Sequence, residues 1–273
     1  MKMAGTSATA VPFRRGTSHR ALVFMVAGAT LLVFAYRAPL LLLFLAGILA
    51  ALTVILLRRD GRSGAALGLD LSLRRLAQCG AGAVGGALLA VIVLGLARLV
   101  TPFHWVTNAT FKPAMAGFAL AFLVVANACE ELVFRGYAFD VLLRVLGAWP
   151  AQALVAVAFA LFHVACGWPW LDALTATTAG SLLFGLVMIR WHSLPAAIGL
   201  HVMWNWTRGL LFQSPATPGT LWVPLGVERW GTAERASVQI LLVAVTLLAC
   251  AVLAAGTRRP RSSWAAWRKT RMS

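Results

Sequence analysis

Apolar residues fall in runs approaching twenty along this chain, and short basic, polar or Pro/Gly-containing stretches separate the runs. A hydrocarbon core about 30 Å thick takes roughly 20 helical residues to cross. The runs therefore predict eight spans, at residues 21–35, 38–57, 76–99, 113–135, 151–166, 172–189, 195–212 and 237–256. The fold class that follows is all-α, a polytopic transmembrane helical bundle of about eight spans. The first run is short enough to resemble a signal peptide. No small-residue cleavage site follows Val33-Phe34-Ala35-Tyr36-Arg37, and another run starts at once, so a retained helical hairpin is expected.

The polar stretches divide the chain into a basic N-terminal arm (1–20), the bundle (21–256) and a basic tail (257–273), with the polar-bearing core at 113–212. Residues 58–75, with Gly61, Gly64 and Gly68 among arginines, read as an interfacial connector. Residues 100–112 and 213–236, the latter holding Pro215, Pro218 and Pro224, read as loops on the opposite side, and Tyr137–Leu146 as an interfacial extension of the fourth span. Gly82 and Gly86 have the G-x-x-x-G spacing that lets helices approach closely. Among so many Gly and Ala residues that spacing says only that the helix is packed. No internal repeat is visible, which counts against a transporter built from two halves.

Charge sets the orientation. Lys2, Arg14, Arg15, Arg20, Arg58, Arg59, Arg62, Arg74, Arg75, Arg135, Arg144, Arg190, Arg258, Arg259, Arg261, Arg268, Lys269 and Arg271 fall on one side of the eight-span arrangement, eighteen of the 24 Lys and Arg. Arg37, Arg98, Lys112, Arg208, Arg229 and Arg235 fall on or near the other. The positive-inside rule then places both termini in the cytoplasm of a multi-pass protein of the cell membrane. At 60% hydrophobic, 12% charged and net +16, the chain is far from globular averages. Its basic residues gather between apolar segments, where anionic lipid is the partner, and Trp264 and Trp267 in the tail suit that interface. Nucleic-acid binding is excluded as a function class. Cys79, Cys129, Cys166 and Cys250 all lie in apolar segments, as buried small hydrophobes rather than a disulfide framework. Cys166, three residues after His163, is the one that could share a histidine's face.

Against this background Glu130 and Glu131 stand out, because two of only eight acidic residues sit side by side inside an apolar run. A carboxylate near a helix centre costs roughly 2.5–3.5 kcal/mol to insert, so such residues face a bundle interior and mark function. Glu131 and Arg135 are four apart and can pair, whereas Glu130 is rotated by about 100° and is left for a cavity. Burial beside a second carboxylate suits a general base. His163 lies on the fifth span, and His201 and Asn205 share a face of the seventh, where an amide can orient an imidazole or stabilise an oxyanion. Each of these alone reads as helix–helix hydrogen bonding or an ion pair. Depths counted from the helix ends let all of them converge on one cavity, expected to open toward the cytoplasm. His104 and His192 sit at polar boundaries and read as solvent-facing, and His19 belongs to the basic arm. No Ser or Cys stands beside a His at catalytic spacing, so water rather than a covalent nucleophile is the expected attacker.

The residues resemble the CPBP family of intramembrane proteases, also called the CAAX-protease or type II prenyl endopeptidase family. Its motifs E-E-x-x-x-R, F-x-x-x-H and H-x-x-x-N occur in order, as Glu130-Glu131 with Arg135, Phe159 with His163, and His201 with Asn205. Phe134-Arg135-Gly136-Tyr137 and Ser193-Leu194-Pro195 are similar as well, and the likeness covers roughly residues 126–206. It implies an intramembrane endopeptidase acting on membrane-associated or lipidated proteins and peptides. Glu130 would activate water, His163 would assist proton transfer, His201 and Asn205 would stabilise the oxyanion, and Glu131 with Arg135 would shape the site. A divalent metal such as zinc held by Glu130, His163 and His201 and a metal-free glutamate mechanism both stay open. The competing class is a non-catalytic membrane partner, of the kind linked to bacteriocin immunity, using the same cavity to bind a peptide or membrane protein.

Overall fold

The structure is a computed structural model and describes residues 16–255. The acidic-poor arm before them and the tail after them, with Trp264 and Trp267, lie outside the described residues. The chain forms α1 (Thr17–Ala35), α2 (Pro39–Arg59), α3 (Leu73–Val100), β1 (His104–Thr107), α4 (Pro113–Arg135) and α5 (Tyr137–Leu146). It continues through α6 (Ala148–Ala165), α7 (Trp170–Asp172), a π-helical turn (Ala173–Thr177), α8 (Thr178–Trp191), α9 (Leu194–Leu211), β2 (Trp222–Leu225) and α10 (Thr232–Ala255).

All eight apolar runs are helical, so the all-α bundle stands. Seven helices among the described residues are long and apolar enough to cross a membrane. The eighth segment, α9, carries His201, Asn205 and Arg208 and is sheltered by packing along α3 and α4. Large apolar side chains point outward along the rim, as with Leu40, Phe44 and Ile48 of α2, which is what a lipid solvent permits. α1 begins at Thr17, so His19 and Arg20 join the helix rather than the arm.

The G-x-x-x-G spacing proves to be structural. α3 and α9 run side by side in the same direction: a Cβ on Gly82 would strike the backbone of Ala196, and one on Gly86 the backbone of Leu200. Only glycine permits that approach. Gly136 marks a different device, because a side chain there would collide with the Leu132 carbonyl where α4 ends and α5 turns away. α5 is therefore a separate helix, docked on α1 and α6 through buried Tyr137, Phe139 and Val141, rather than a straight extension.

One end of the bundle is stapled by acids. Asp60 accepts hydrogen bonds from Arg20 (2.8 Å) and from the Tyr137 hydroxyl (2.8 Å), and Asp140 pairs with Arg62 and Arg144. Arg75 bonds Asp70 at 3.0 Å and the His192 carbonyl at 3.1 Å, tying the 58–75 connector to the α8–α9 turn. The opposite end departs from expectation. The two segments read as loops pair as an antiparallel ribbon, with His104 opposite Leu225 and Thr107 opposite Trp222. Asn108 ties the ribbon to the preceding loop through the carbonyls of Thr217 and Thr220. Phe103 packs edge-on against Trp105, Phe212 and Trp230 there.

Candidate active site

α4 delivers both glutamates where it packs against α9. Glu131 and Arg135 are fully buried and pair at 3.1 Å, as their four-residue spacing predicts. Arg135 also donates to the Ser181 hydroxyl at 2.6 Å and lies over the Phe159 ring, 4.3 Å from its centroid. A desolvated guanidinium is held between aromatic faces and one carboxylate. That same carboxylate oxygen accepts the Nδ1–H of His201 at 2.9 Å. The imidazole stacks on Phe184 with ring centroids 4.3 Å apart, which leaves Nε2 toward Glu130 Oε2 at 3.8 Å.

Glu130 differs from its neighbour as its helix rotation requires. It lines a cavity of about 760 Å³, and its Oε2 is buried without a hydrogen-bond partner. Its Oε1 accepts the hydroxyl hydrogen of Tyr36, at the tip of the α1–α2 hairpin. Nothing in the motif spacing pointed to Tyr36, which is 94 residues away; the one sequence signal was a tyrosine beside Arg37 at the end of an apolar run. Ser181 and Asn127 were missed for the same reason.

His163 also lines the cavity. Its Nδ1 lies 2.9 Å from the Phe159 carbonyl, an acceptor, so Nδ1 carries the hydrogen and Nε2 keeps its lone pair. Asn205 does not orient His201, as its spacing allowed; Glu131 does. Asn205 instead makes a long 3.4 Å bond to Asn127 Oδ1, leaving donor capacity toward the cavity. All six motif residues thus meet in one place, with His104 and His192 exposed far from it.

Glu130 and His201 approach each other, yet no three His, Cys, Asp or Glu side chains among the described residues are grouped so as to hold a metal ion. Cys166 is exposed and shares the cavity wall without completing such a set.

The cavity lies toward the end of the bundle away from the termini, whereas helix depths gave an opening on the side of the termini. Below Glu130 the fully buried Arg135 and its aromatic cage close the bundle. The cavity runs the other way, past Ala119 on α4 and Arg208 on α9 to Thr217 and Thr220 beside the β-ribbon. Depth counted from a helix end locates a residue only where every helix spans the same slab. In fact the α1–α2 tip and the end of α6 stop at the level of Glu130, marked by Tyr36 and His163, whereas α4 continues for about 26 Å beyond it. The π-helical turn sits on the same wall through Ala176 and Thr177, a common place for such a turn to appear.

Fold and site together define a multi-pass helical membrane protein with a carboxylate–imidazole cluster buried at the floor of an internal cavity. Residues 111–207, about a third of the chain, match the family model described as type II CAAX prenyl endopeptidase Rce1-like. The match takes in every motif residue from Glu130 to Asn205 and bears out the resemblance: over this stretch the chain is similar to CAAX-type intramembrane endopeptidases. No curated protein and no solved structure matches the chain.

Proposed function

We propose that this protein is an intramembrane endopeptidase that hydrolyses a peptide bond of a membrane-associated substrate by glutamate-activated water. The observation that carries the reading is Glu130 Oε2, buried and unpartnered on the cavity wall, 3.8 Å from His201 Nε2. A buried acceptor without a donor is costly in a folded protein and persists where a ligand supplies the hydrogen.

The chemistry follows from the donors and acceptors present. Glu130 removes a proton from water as the water oxygen bonds to the scissile carbonyl carbon, and the carbonyl π electrons move onto its oxygen. Asn205 lines the space where that oxyanion forms, with amide donor capacity to spare, and His201, its Nδ1–H already given to Glu131, lines the same space. Collapse of the adduct breaks the C–N bond, and the proton held by Glu130 passes to the leaving amine. His163, with its lone pair on Nε2, accepts a hydrogen bond from the water or relays the proton. Glu131 holds His201 in one tautomer and orientation, and Tyr36 fixes the Glu130 carboxylate. No step is routed through a metal.

With both termini cytoplasmic, as the basic residues favour, the cavity faces away from the cytoplasm. The substrate segment then enters from the outer leaflet or the aqueous face beside the β-ribbon, and not from the inner leaflet.

The test is hydrolysis of a peptide library and a lipidated reporter by purified protein in liposomes, with Glu130→Gln alongside. Activity lost in the variant, with the helical content of the protein unchanged, is the expected result. Full-rate cleavage by Glu130→Gln removes Glu130 from the mechanism.

A further inference from the structure

Arg208 lies in the last turn of α9, seven residues after His201. Seven residues make almost two whole turns, so both side chains occupy one helix face about 10 Å apart. Both line the cavity, with Asn205 between them. Arg208 donates no side-chain hydrogen bond and forms no ion pair among the described residues, whereas Arg135 pairs with Glu131, donates to Ser181 and lies over the Phe159 ring. The carboxylates on the cavity wall are those of Glu130 and Asp172, and neither comes within 4 Å of the guanidinium.

The position is favourable for a cation, since a helix C-terminus carries partial negative charge. That field does not satisfy a planar fork of five donors, which matches a carboxylate in two-point geometry. An unpaired guanidinium inside an apolar cavity of a membrane protein marks a ligand site. Trp204 and Trp206 also line the cavity, so the wall beside Arg208 is largely apolar.

We infer that Arg208 is the anchor for a carboxylate of the peptide substrate, and so a specificity-determining residue. The inference rests on the peptidase reading for the identity of the ligand as a peptide. At about 3.3 Å per extended residue, the carboxylate it holds sits about three residues from the bond presented to Glu130 and His201. Two sources supply that chemistry, a free C-terminus and an acidic side chain.

Binding separates this inference from catalysis. Fluorescein-labelled apolar hexapeptides are titrated into Glu130→Gln protein in detergent micelles and followed by anisotropy. Three forms are compared: free acid, C-terminal carboxamide, and carboxamide with Glu at the third position from the end. A carboxylate form should bind roughly tenfold tighter than the plain carboxamide or better, as a charge-assisted two-point contact implies. Preference for the first form identifies a C-terminal carboxylate, and preference for the third an acidic side chain. Arg208→Gln should erase the preference and leave carboxamide binding unchanged, which also shows that the variant is folded; Arg208→Lys should keep part of it. Equal binding of all three forms, or a preference that survives Arg208→Gln, overturns the inference. If the preference holds and wild-type protein hydrolyses none of the peptides, the peptidase reading fails and the carboxylate site stands.

Discussion

His201 donates its Nδ1–H to Glu131 Oε1 over 2.9 Å, and Glu131 is fully buried. The oxygen that steers the imidazole is therefore the one that neutralises Arg135. Glu131, Arg135 and His201 thus form one electrostatic unit, in which removing either Glu131 or Arg135 leaves the other's charge buried without its partner.

Glu131→Ala should destabilise the bundle and not merely slow it, because it strands a fully buried guanidinium. Removing one partner of a buried pair costs about 3–5 kcal/mol. Thermal unfolding in detergent should show a fall of that order for Glu131→Ala and a much smaller one for Glu130→Ala, which leaves only the neutral Tyr36 hydroxyl without its acceptor. Equal losses would show that the two glutamates carry equal structural load.

Chelation should leave activity intact. No three His, Cys, Asp or Glu side chains among the described residues are grouped to hold an ion. Protein dialysed against excess chelator should retain its peptide-hydrolysis rate and contain no stoichiometric zinc by elemental analysis. Zinc and activity lost together would show that the side chains rearrange around a metal.

Tyr36→Phe should lower kcat while leaving KM nearly unchanged. The hydroxyl holds Glu130 Oε1 and bonds nothing else, and a hydrogen bond to a charged acceptor contributes about 1.5–3 kcal/mol. A roughly tenfold fall in kcat is expected, read in steady-state kinetics. A change confined to KM would place Tyr36 in substrate binding instead.

Gly86→Val should separate α3 from α9 and disturb the site at a distance. The added side chain has no room beside the Leu200 backbone, one residue before His201. Overpacking costs about 1–3 kcal/mol, and more where backbone must move. Gly85→Val, at a position open to lipid, is the control and should leave the melting temperature within a degree or two of wild type.

Cysteine labelling tests the sidedness of the cavity. In intact cells Thr217→Cys should react with an impermeant thiol reagent, and the adduct should inhibit, because Thr217 lines the cavity. Ser63→Cys, in the connector near the stapled basic end, should stay protected. The reverse pattern would place the termini outside and bring the substrate from the cytoplasm.

How the site was legible follows from the membrane's own selection. An apolar solvent makes each carboxylate and imidazole expensive, so Glu130, Glu131, His163 and His201 stand out against the runs that surround them, and local helix rotation already assigned Arg135 to Glu131. Tyr36 and Arg208 were not legible in that way. A tyrosine at a hairpin tip and an arginine near a helix end are ordinary interfacial residues until their neighbours are known.

From sequence alone come the all-α class, the eight helical segments, the charge asymmetry and the membership of the polar cluster, because hydropathy and i, i+4 spacing are local properties. Tertiary structure decided the rest. It turned two loops into a ribbon, made Gly82 and Gly86 a helix contact, gave His201 to Glu131 rather than Asn205, and opened the cavity away from the termini. Each of these depends on how far one helix slides past another, and a sequence records the length of a helix but not its offset against its neighbours.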